Sequence, residues 1–153
     1  MFGFIRKLHR AGVIGINRRN LDYIATQNPR KDLRLVDDKL VTKERAAQLG
    51  IAVPELFGLI RTPREAHEFK QIAAAKQSFV IKPARGSGGN GILVITRVRG
   101  DKYFRSDGTY LTLQQVEHHI QNILSGVYSL SGLTDVAMIE YRVKPIALFD
   151  EWT

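Results

Sequence analysis

A glycine-rich bend between two apolar runs is the feature of this sequence that most restricts its fold. The stretch from Ser78 to Thr96 reads SFVIKPARGSGGNGILVIT, and Pro83 ends the first apolar run directly after Lys82. Two short β-branched runs on either side of such a bend predict a strand, a glycine-rich loop and a second strand. Backbone N–H groups of the loop can form an anion-binding concavity, and the Lys82 ammonium would add a positive charge for phosphate.

Other glycine motifs fit this stretch less well. Residues Gly86 to Gly91 match G-x-G-x-x-G, but a dinucleotide fingerprint opens a helix, whereas the strand-like letters ILVITRV follow here. A Walker A loop ends in Gly-Lys-Ser/Thr, and Gly91 is followed by Ile92. A protein kinase places its lysine after the loop and needs H-R-D and D-F-G, which the sequence lacks. A plain hairpin turn with an exposed lysine stays open as an alternative.

Composition and charge narrow the class of protein. The 153 residues include no cysteine, which excludes disulfides and cysteine-bound metals and fits a cytoplasmic location. No apolar run reaches the length of about 18 residues that a membrane span needs, and no signal-peptide core is present. The net charge is +8, and residues 1–50 hold 11 of the 23 basic and 5 of the 15 acidic residues. Such a basic region can attract nucleic acid, anionic lipid or a nucleotide, although no aromatic RNA-binding signature accompanies it.

Periodicity, caps and turn residues predict the other elements. Helices are expected over residues 2–12, 17–26, 39–49, 62–76 and 112–126, the last two beginning with capping boxes at Thr62 and Thr112. Asp37 and Asp38 are expected at the positive end of the third helix, and Gly50 at its C-terminal cap. An edge strand is expected at 50–54, continuing extended over 56–60, with a hairpin at 102–112 and a strand at 135–143.

Two smaller patterns carry structural rather than chemical meaning. Leu40, Lys43 and Ala47 are expected to share one face of the helix over 39–49. His118 and His119 are adjacent on a predicted helix, so they do not share a face and are not expected to bind a metal together. We expect both histidines to be exposed or half-buried.

Four segments of the sequence carry a resemblance to a known family. They are, in order, Asp38-Lys39-Leu40 with Lys43, Gly50-Ile51-Ala52-Val53-Pro54, Val80-Ile81-Lys82-Pro83 with the glycine loop, and Ile139-Glu140-Tyr141. Together they resemble the ATP-grasp enzymes, which are ATP-dependent ligases that join a carboxylate to an amine or a thiol. The sequence is most similar to their alpha-L-glutamate ligase-like branch, over about Arg34 to Val143. This resemblance implies an α+β fold, namely a partial ATP-grasp fold in which helices pack a small antiparallel sheet with a glycine-rich hairpin.

The same resemblance implies roles for individual residues. Lys39 corresponds to a lysine on the α-phosphate side of ATP, and Lys82 to a second nucleotide lysine before a phosphate-covering lid. Residues 139–143 correspond to a linker whose backbone groups pair with adenine, with Glu140 as its acidic residue. No catalytic residue is assigned. The expected ATP-binding residues are Lys39, Lys82, Arg85, Gly86, Ser87, Gly88, Gly89, Asn90, Gly91, Glu140, Tyr141 and Val143.

Family members carry a second lobe after the linker, with acidic and asparagine ligands for magnesium (Mg2+). We therefore expect residues 1–35 to be an N-terminal helical segment, 36–143 the N-terminal part of the ATP-grasp fold, and 144–153 the start of a truncated C-terminal lobe. Asp150 and Glu151 are not assigned as metal ligands, and the metal ligands are expected in the lobe that would follow.

The resulting functional expectation is the ATP-binding portion of a carboxylate–amine ligase that acts through an acylphosphate and is inactive as this chain alone. Its expected substrates are ATP with a small carboxylate and a small amine, such as an amino acid or a peptide. An uncovered lobe face would favour self-association. The alternative is a non-catalytic basic module that binds nucleic acid or an acidic partner.

Overall fold

The computed structural model describes residues 2–129 and 132–144 and divides into two units. The first unit ends at Asp38, and the second begins at Lys39. Helices and small antiparallel sheets occur together, so the predicted α+β class is confirmed. Residues 145–153, which include Asp150, Glu151 and nearly all of the predicted segment 144–153, lie outside the described residues.

Short helices make up the described part of the first unit. They are α1 (Phe2–Arg10), α2 (Ile16–Arg19), a π-helical turn (Asn20–Ile24), α3 (Ala25–Gln27) and α4 (Arg30–Asp37). The predicted helices over 2–12 and 17–26 are thus confirmed. Helix α4 was not predicted, because Asn28-Pro29 reads as a stop signal, whereas here Pro29 is the N-cap residue of the next helix. Asp37 consequently closes α4 instead of opening the helix that follows.

The second unit is organised around a four-stranded antiparallel sheet. Its strands are β1 (Leu56–Ile60), β2 (Phe79–Pro83), β3 (Leu93–Ile95) and β7 (Ala137–Glu140), in the spatial order β1-β7-β2-β3. A second, three-stranded sheet follows β3 and consists of β4 (Arg97–Arg99), β5 (Lys102–Phe104) and β6 (Tyr110–Thr112). Strands β2 and β3 are the antiparallel neighbours predicted on either side of the glycine-rich loop. The predicted hairpin at 102–112 is also confirmed.

Two of the three helical segments of the second unit have the caps predicted for them, whereas the N-cap residue of the middle one is Arg64 and not the predicted Thr62. Helix α5 (Lys39–Gln48) ends in a turn in which Gly50 has a φ of +71° and donates its N–H to Ala47 O at 3.0 Å. A 3-10 turn (Glu65–Glu68) leads into α6 (Phe69–Ala73), which is shorter than the predicted helix over 62–76. Helix α7 (Leu113–Leu124) begins with the complete Thr112–Gln115 capping box. In the described part of the chain, none of the helices combines the length and hydropathy needed to cross a bilayer.

One face of the main sheet forms the hydrophobic core. Phe79 and Ile81 of β2 lie on this face, because alternate residues of a strand point to the same side, and helices α6 and α7 pack against it. The rings of Phe69, Phe79 and Tyr103 pack against one another in tilted and edge-to-face pairs, with centroids 5.4 to 6.3 Å apart. They join the small sheet to this core. The opposite face carries Lys82 and Glu140, so the sheet separates an apolar side from a charged side.

One local prediction was wrong. Residues 51–54 are not a strand, and the edge strand begins only at Leu56. Pro54 has no N–H to donate, and the carbonyl of Glu55 accepts the backbone N–H of Tyr141, directly after β7.

The capping box of α7 generates a prediction about stability. Thr112 Oγ1 accepts the N–H of Gln115 at 3.3 Å, and Gln115 Oε1 accepts the N–H of Thr112 at 2.9 Å. Thr112→Ala should lower the free energy of unfolding by about 1 kcal/mol, because the N–H of Gln115 loses its acceptor. Urea unfolding measures the change. Gln114→Ala, an exposed site on the same helix, is the control, and an equal loss in both variants would contradict the role of the cap.

Candidate functional site

The charged side of the main sheet meets the glycine-rich loop at the end of β2. Strands β2 and β7 are antiparallel, and their register places Val80 opposite Glu140, so Lys82 lies diagonally across from that carboxylate. Helix α5 is fixed at the same place, because the backbone N–H of Lys39 donates to Ala84 O at 2.8 Å. The first residue of α5 and the end of β2 therefore lie together beside the start of β7, because Pro83 pairs with Ala137.

Three lysines surround this point with one carboxylate among them. Glu140 binds Lys82 through Oε1 and Lys43 through Oε2, the latter at 3.0 Å. The Lys39 ammonium donates to the carbonyl oxygen of Gly86, the first glycine of the loop. Since Lys43 and Lys82 share a single carboxylate, their cluster carries a net positive charge, and this charge favours an anionic ligand.

A buried aspartate fixes the first residues of the loop. Both carboxylate oxygens of Asp135 accept the backbone N–H of Arg85, at 3.1 and 3.0 Å, and Oδ1 also accepts the N–H of Val136 at 2.7 Å. Ala84 N–H donates to Val136 O at 3.0 Å, and the Arg85 guanidinium donates to Thr134 O at 3.2 Å. The loop thus starts from a rigid backbone position beside β7.

The middle of the loop, Ser87 to Asn90, is exposed, and its backbone requires glycine. Gly88 and Gly89 have φ values of +60° and +79°, which disfavour residues with a Cβ atom. Asn90 N–H donates to Ser87 O at 3.1 Å and closes a tight turn. An exposed turn of this kind presents backbone N–H groups to solvent, as the sequence predicted.

Both ends of the loop contact the segment that follows α7. Gly86 forms an isolated antiparallel bridge with Ser129. Gly91 has a φ of +76° and lies against the ring of Tyr128, where an added Cβ would stand 2.6 Å from ring carbons. The carbonyl oxygen of Gly91 is 3.0 Å from His119 Nε2, and the His119 ring lies beside the Tyr128 ring.

The structure joins most of the predicted site residues but not all of them. Lys39, Lys82, Arg85, Gly86 and Glu140 are connected by the contacts above, and the exposed turn follows them. Tyr141 and Val143 lie outside this set and are exposed. The backbone N–H of Tyr141 donates to Glu55 O at 2.8 Å, so it is engaged within the sheet. The adenine-pairing role of both residues stays a prediction.

Three residues of the site were not among the predicted site residues. Lys43 had a signal, because it follows Lys39 by one helical turn and thus lies on the same face of α5. Asp135 and His119 had none, since their partners in the loop are 50 and 28 residues away along the chain. Only the tertiary fold brings these side chains to the ends of the loop.

The carboxylates of the candidate site are engaged by groups of the protein itself. Among the residues that the structure describes, no group of three or more histidine, aspartate or glutamate side chains could hold a metal ion. The carboxylate oxygens of Asp135 accept hydrogen bonds from backbone N–H groups, and those of Glu140 form ion pairs with lysines.

The comparison with protein families decides the class of the chain. The model described as sugar-transfer associated ATP-grasp matches residues 18–153. The chain belongs to this family. Membership confirms the predicted place in the ATP-grasp superfamily, while the finer assignment to the alpha-L-glutamate ligase-like branch stays a prediction. Comparisons with curated proteins and with solved structures gave no significant match.

The far end of this ATP-grasp loop provides a matched pair of glycine variants. Gly89 and Gly91 both have a left-handed backbone, but an added Cβ meets nothing within 4 Å at Gly89 and the Tyr128 ring at Gly91. Gly91→Ala should lower the free energy of unfolding by about 1–3 kcal/mol more than Gly89→Ala, because only the former adds overpacking to backbone strain. Urea unfolding of both variants measures the difference. Equal losses would show that Gly91 does not pack against Tyr128.

His119 makes stability depend on pH. Burial lowers the pKa of His119 below its usual value, the contact with the Gly91 carbonyl opposes this shift, and neighbouring His118 adds to the lowering. As pH falls below about 6.5, the unfolded chain binds the proton first, so the contribution of this group to stability is lost as pH passes through the folded-state pKa.

Urea unfolding at pH 7.5 and 5.0 should therefore show a smaller loss of stability on acidification for His119→Gln than for the unaltered chain. His118→Gln is the control, because His118 is exposed. An unchanged pH dependence in His119→Gln would contradict the burial effect.

Proposed function

We propose that this chain is the ATP-binding part of an ATP-dependent ligase that joins a carboxylate to an amine through an acylphosphate. The observation that carries the proposal is that helix α5 and strand β2 are joined beside the glycine-rich loop: Lys39 contacts the Gly86 carbonyl, and Lys82 shares Glu140 with a second lysine of α5. Membership of an ATP-grasp family supports the same reading. Several ammonium groups in one neighbourhood suit a polyphosphate rather than a single charge.

The proposed nucleotide contacts follow from what these groups now bind. Lys39 donates to the Gly86 carbonyl and Lys82 to Glu140, so each ammonium could exchange its present acceptor for a phosphate oxygen. Backbone N–H groups of Ser87, Gly88 and Gly89 in the exposed turn would supply further donors. We propose that backbone groups of the linker after β7, which includes Tyr141 and Val143, pair with adenine. This part of the proposal rests on the sequence resemblance.

The chemistry proposed for the complete enzyme has two balanced steps. A substrate carboxylate oxygen attacks the γ-phosphorus of ATP, and ADP leaves with the electrons of the broken P–O bond. An amine nitrogen then attacks the acyl carbon, and inorganic phosphate leaves while the amine loses a proton. Lysines and loop N–H groups contribute positioning and charge neutralisation in the first step. Mg2+, whose ligands the sequence resemblance assigns to the lobe after the linker, would add charge neutralisation at the phosphates when bound.

The proposed substrates remain at the level of chemical class. The sequence resemblance favours an amino acid or a peptide, as in the alpha-L-glutamate ligase-like branch. The description of the matched family associates its members with sugar transfer, which favours a carboxylate or amine carried on a saccharide. A substrate panel for the complete enzyme should therefore contain both classes. A cytoplasmic location is part of the proposal, because a chain without cysteine suits a reducing compartment.

The alternative function stays a separate prediction that a single measurement distinguishes. A basic module for nucleic acid would lose affinity steeply as salt concentration rises, because counterions are released from the phosphate backbone. Gel-shift titrations at two salt concentrations test this expectation. ATP binding by the proposed ligase would instead depend on the ammonium of Lys82.

Lys82→Met should abolish the rise in melting temperature that ATP produces in the unaltered chain, because the variant keeps the apolar stem but loses the ammonium. Differential scanning fluorimetry with and without ATP measures the rise. Lys102→Met is the matched control, since Lys102 lies over the ring of Tyr110 in the small sheet. An undiminished ATP response in Lys82→Met, or none in the unaltered chain, would overturn the proposed function.

A further inference from the structure

The two ammonium groups on Glu140 differ in how far solvent reaches them. Lys82 lies on β2, and its side chain is 22% exposed. Lys43 lies on α5, and its side chain is 12% exposed, while that of Glu140 is 6% exposed. A ligand arriving from solvent therefore meets Lys82 more readily than Lys43.

A buried carboxylate limits what Lys82 can do. Removing one partner from a buried ion pair leaves an uncompensated charge, which is costly at low dielectric. If Lys82 were the sole counter-ion of Glu140, its transfer to a phosphate would leave such a charge. Lys43 occupies the second oxygen at 3.0 Å, so Glu140 keeps a positive partner after Lys82 leaves.

We propose that Lys43 is a positioning residue for nucleotide binding: it holds Glu140 so that the Lys82 ammonium is free to turn to a phosphate of a nucleoside triphosphate. This inference rests on the proposed function. Lys43 contacts no phosphate in it and acts through Glu140. Helix α5 therefore serves the site twice, with Lys39 at its first residue and Lys43 one turn later on the same face.

The inference predicts a loss of affinity without a lost ligand contact. In Lys43→Met, Lys82 becomes the main counter-ion of Glu140 and is retained there, so affinity for ATP should fall by roughly tenfold. Lys43→Arg keeps the positive charge and should stay within about threefold of the unaltered chain. The decisive variant is the double substitution Lys43→Met with Glu140→Gln, which removes the charge that retains Lys82.

Isothermal titration with a nonhydrolysable ATP analogue compares the unaltered chain, both single variants and the double variant. We expect the double variant to bind at least fivefold more tightly than Lys43→Met. Lys70→Met is the matched control, because it removes an ammonium from a surface ion pair with Asp101 at 2.9 Å. Urea unfolding of the same set, with Glu140→Gln alone added, should show that this substitution costs less stability in the Lys43→Met background than in the unaltered chain.

Three results would overturn the inference while leaving the proposed function intact. Normal affinity in Lys43→Met would show that Lys82 needs no second counter-ion. A double variant as weak as Lys43→Met would place Lys43 on the ligand itself. Strictly additive losses in the unfolding experiment would show that Lys43 and Glu140 are not coupled. An unaltered chain that does not bind the analogue would instead overturn the proposed function, and this inference with it.

Discussion

The carboxylate of Glu140 is the group on which the charged side of this protein depends. It stands at the last residue of β7, a strand with neighbours on both sides, and it is nearly inaccessible to solvent. Without it, Lys43 and Lys82 would repel each other close to the sheet, where the effective dielectric is low. With it, two ammonium groups are held in defined places and still leave a net positive charge. The site therefore combines rigidity with an attraction for anions.

Burial on the apolar side of the same sheet stabilises the strand that carries Lys82. Phe79 and Ile81 of β2 are fully buried against the helices, while Val80 and Lys82, which alternate with them, face the charged side. Their burial anchors β2 along its length, because each fully buried side chain of this size contributes on the order of 1.5–3 kcal/mol. Lys82 is thus carried on a strand whose position is set by the opposite face, not by its own ion pair.

The sequence predicted most of the elements and the centre of the site, for reasons that are local. The hairpin around the glycine-rich loop, the capping box at Thr112 and the turn at Gly50 each have their signal within a few residues. Errors arose where competing signals were equally local: Asn28-Pro29 ends one helix and also begins the next.

Contacts between distant segments had no such signal. Asp135 approaches the backbone of Arg85 only because β7 pairs with β2, and His119 reaches Gly91 only because α7 packs near the loop. Neither residue type nor spacing predicts these contacts, because an aspartate before a strand and a histidine on a helix are common in proteins that lack them. The resemblance predicts residues that would contact a ligand, and the fold was needed to find the residues that hold the loop.

Attachment at both ends leaves the glycine-rich segment with little reach. Between Gly86 at its bridge and Gly91 at the Tyr128 ring stand four residues, Ser87 to Asn90. At roughly 3.5 Å per residue, a tethered arc of that length extends only about 7 Å from its base, comparable with one or two phosphate groups. While both attachments hold, this stretch can cover only a small area. Under the proposed function, a phosphate would therefore bind close to the sheet itself, and selectivity would depend on the shape of a short arch.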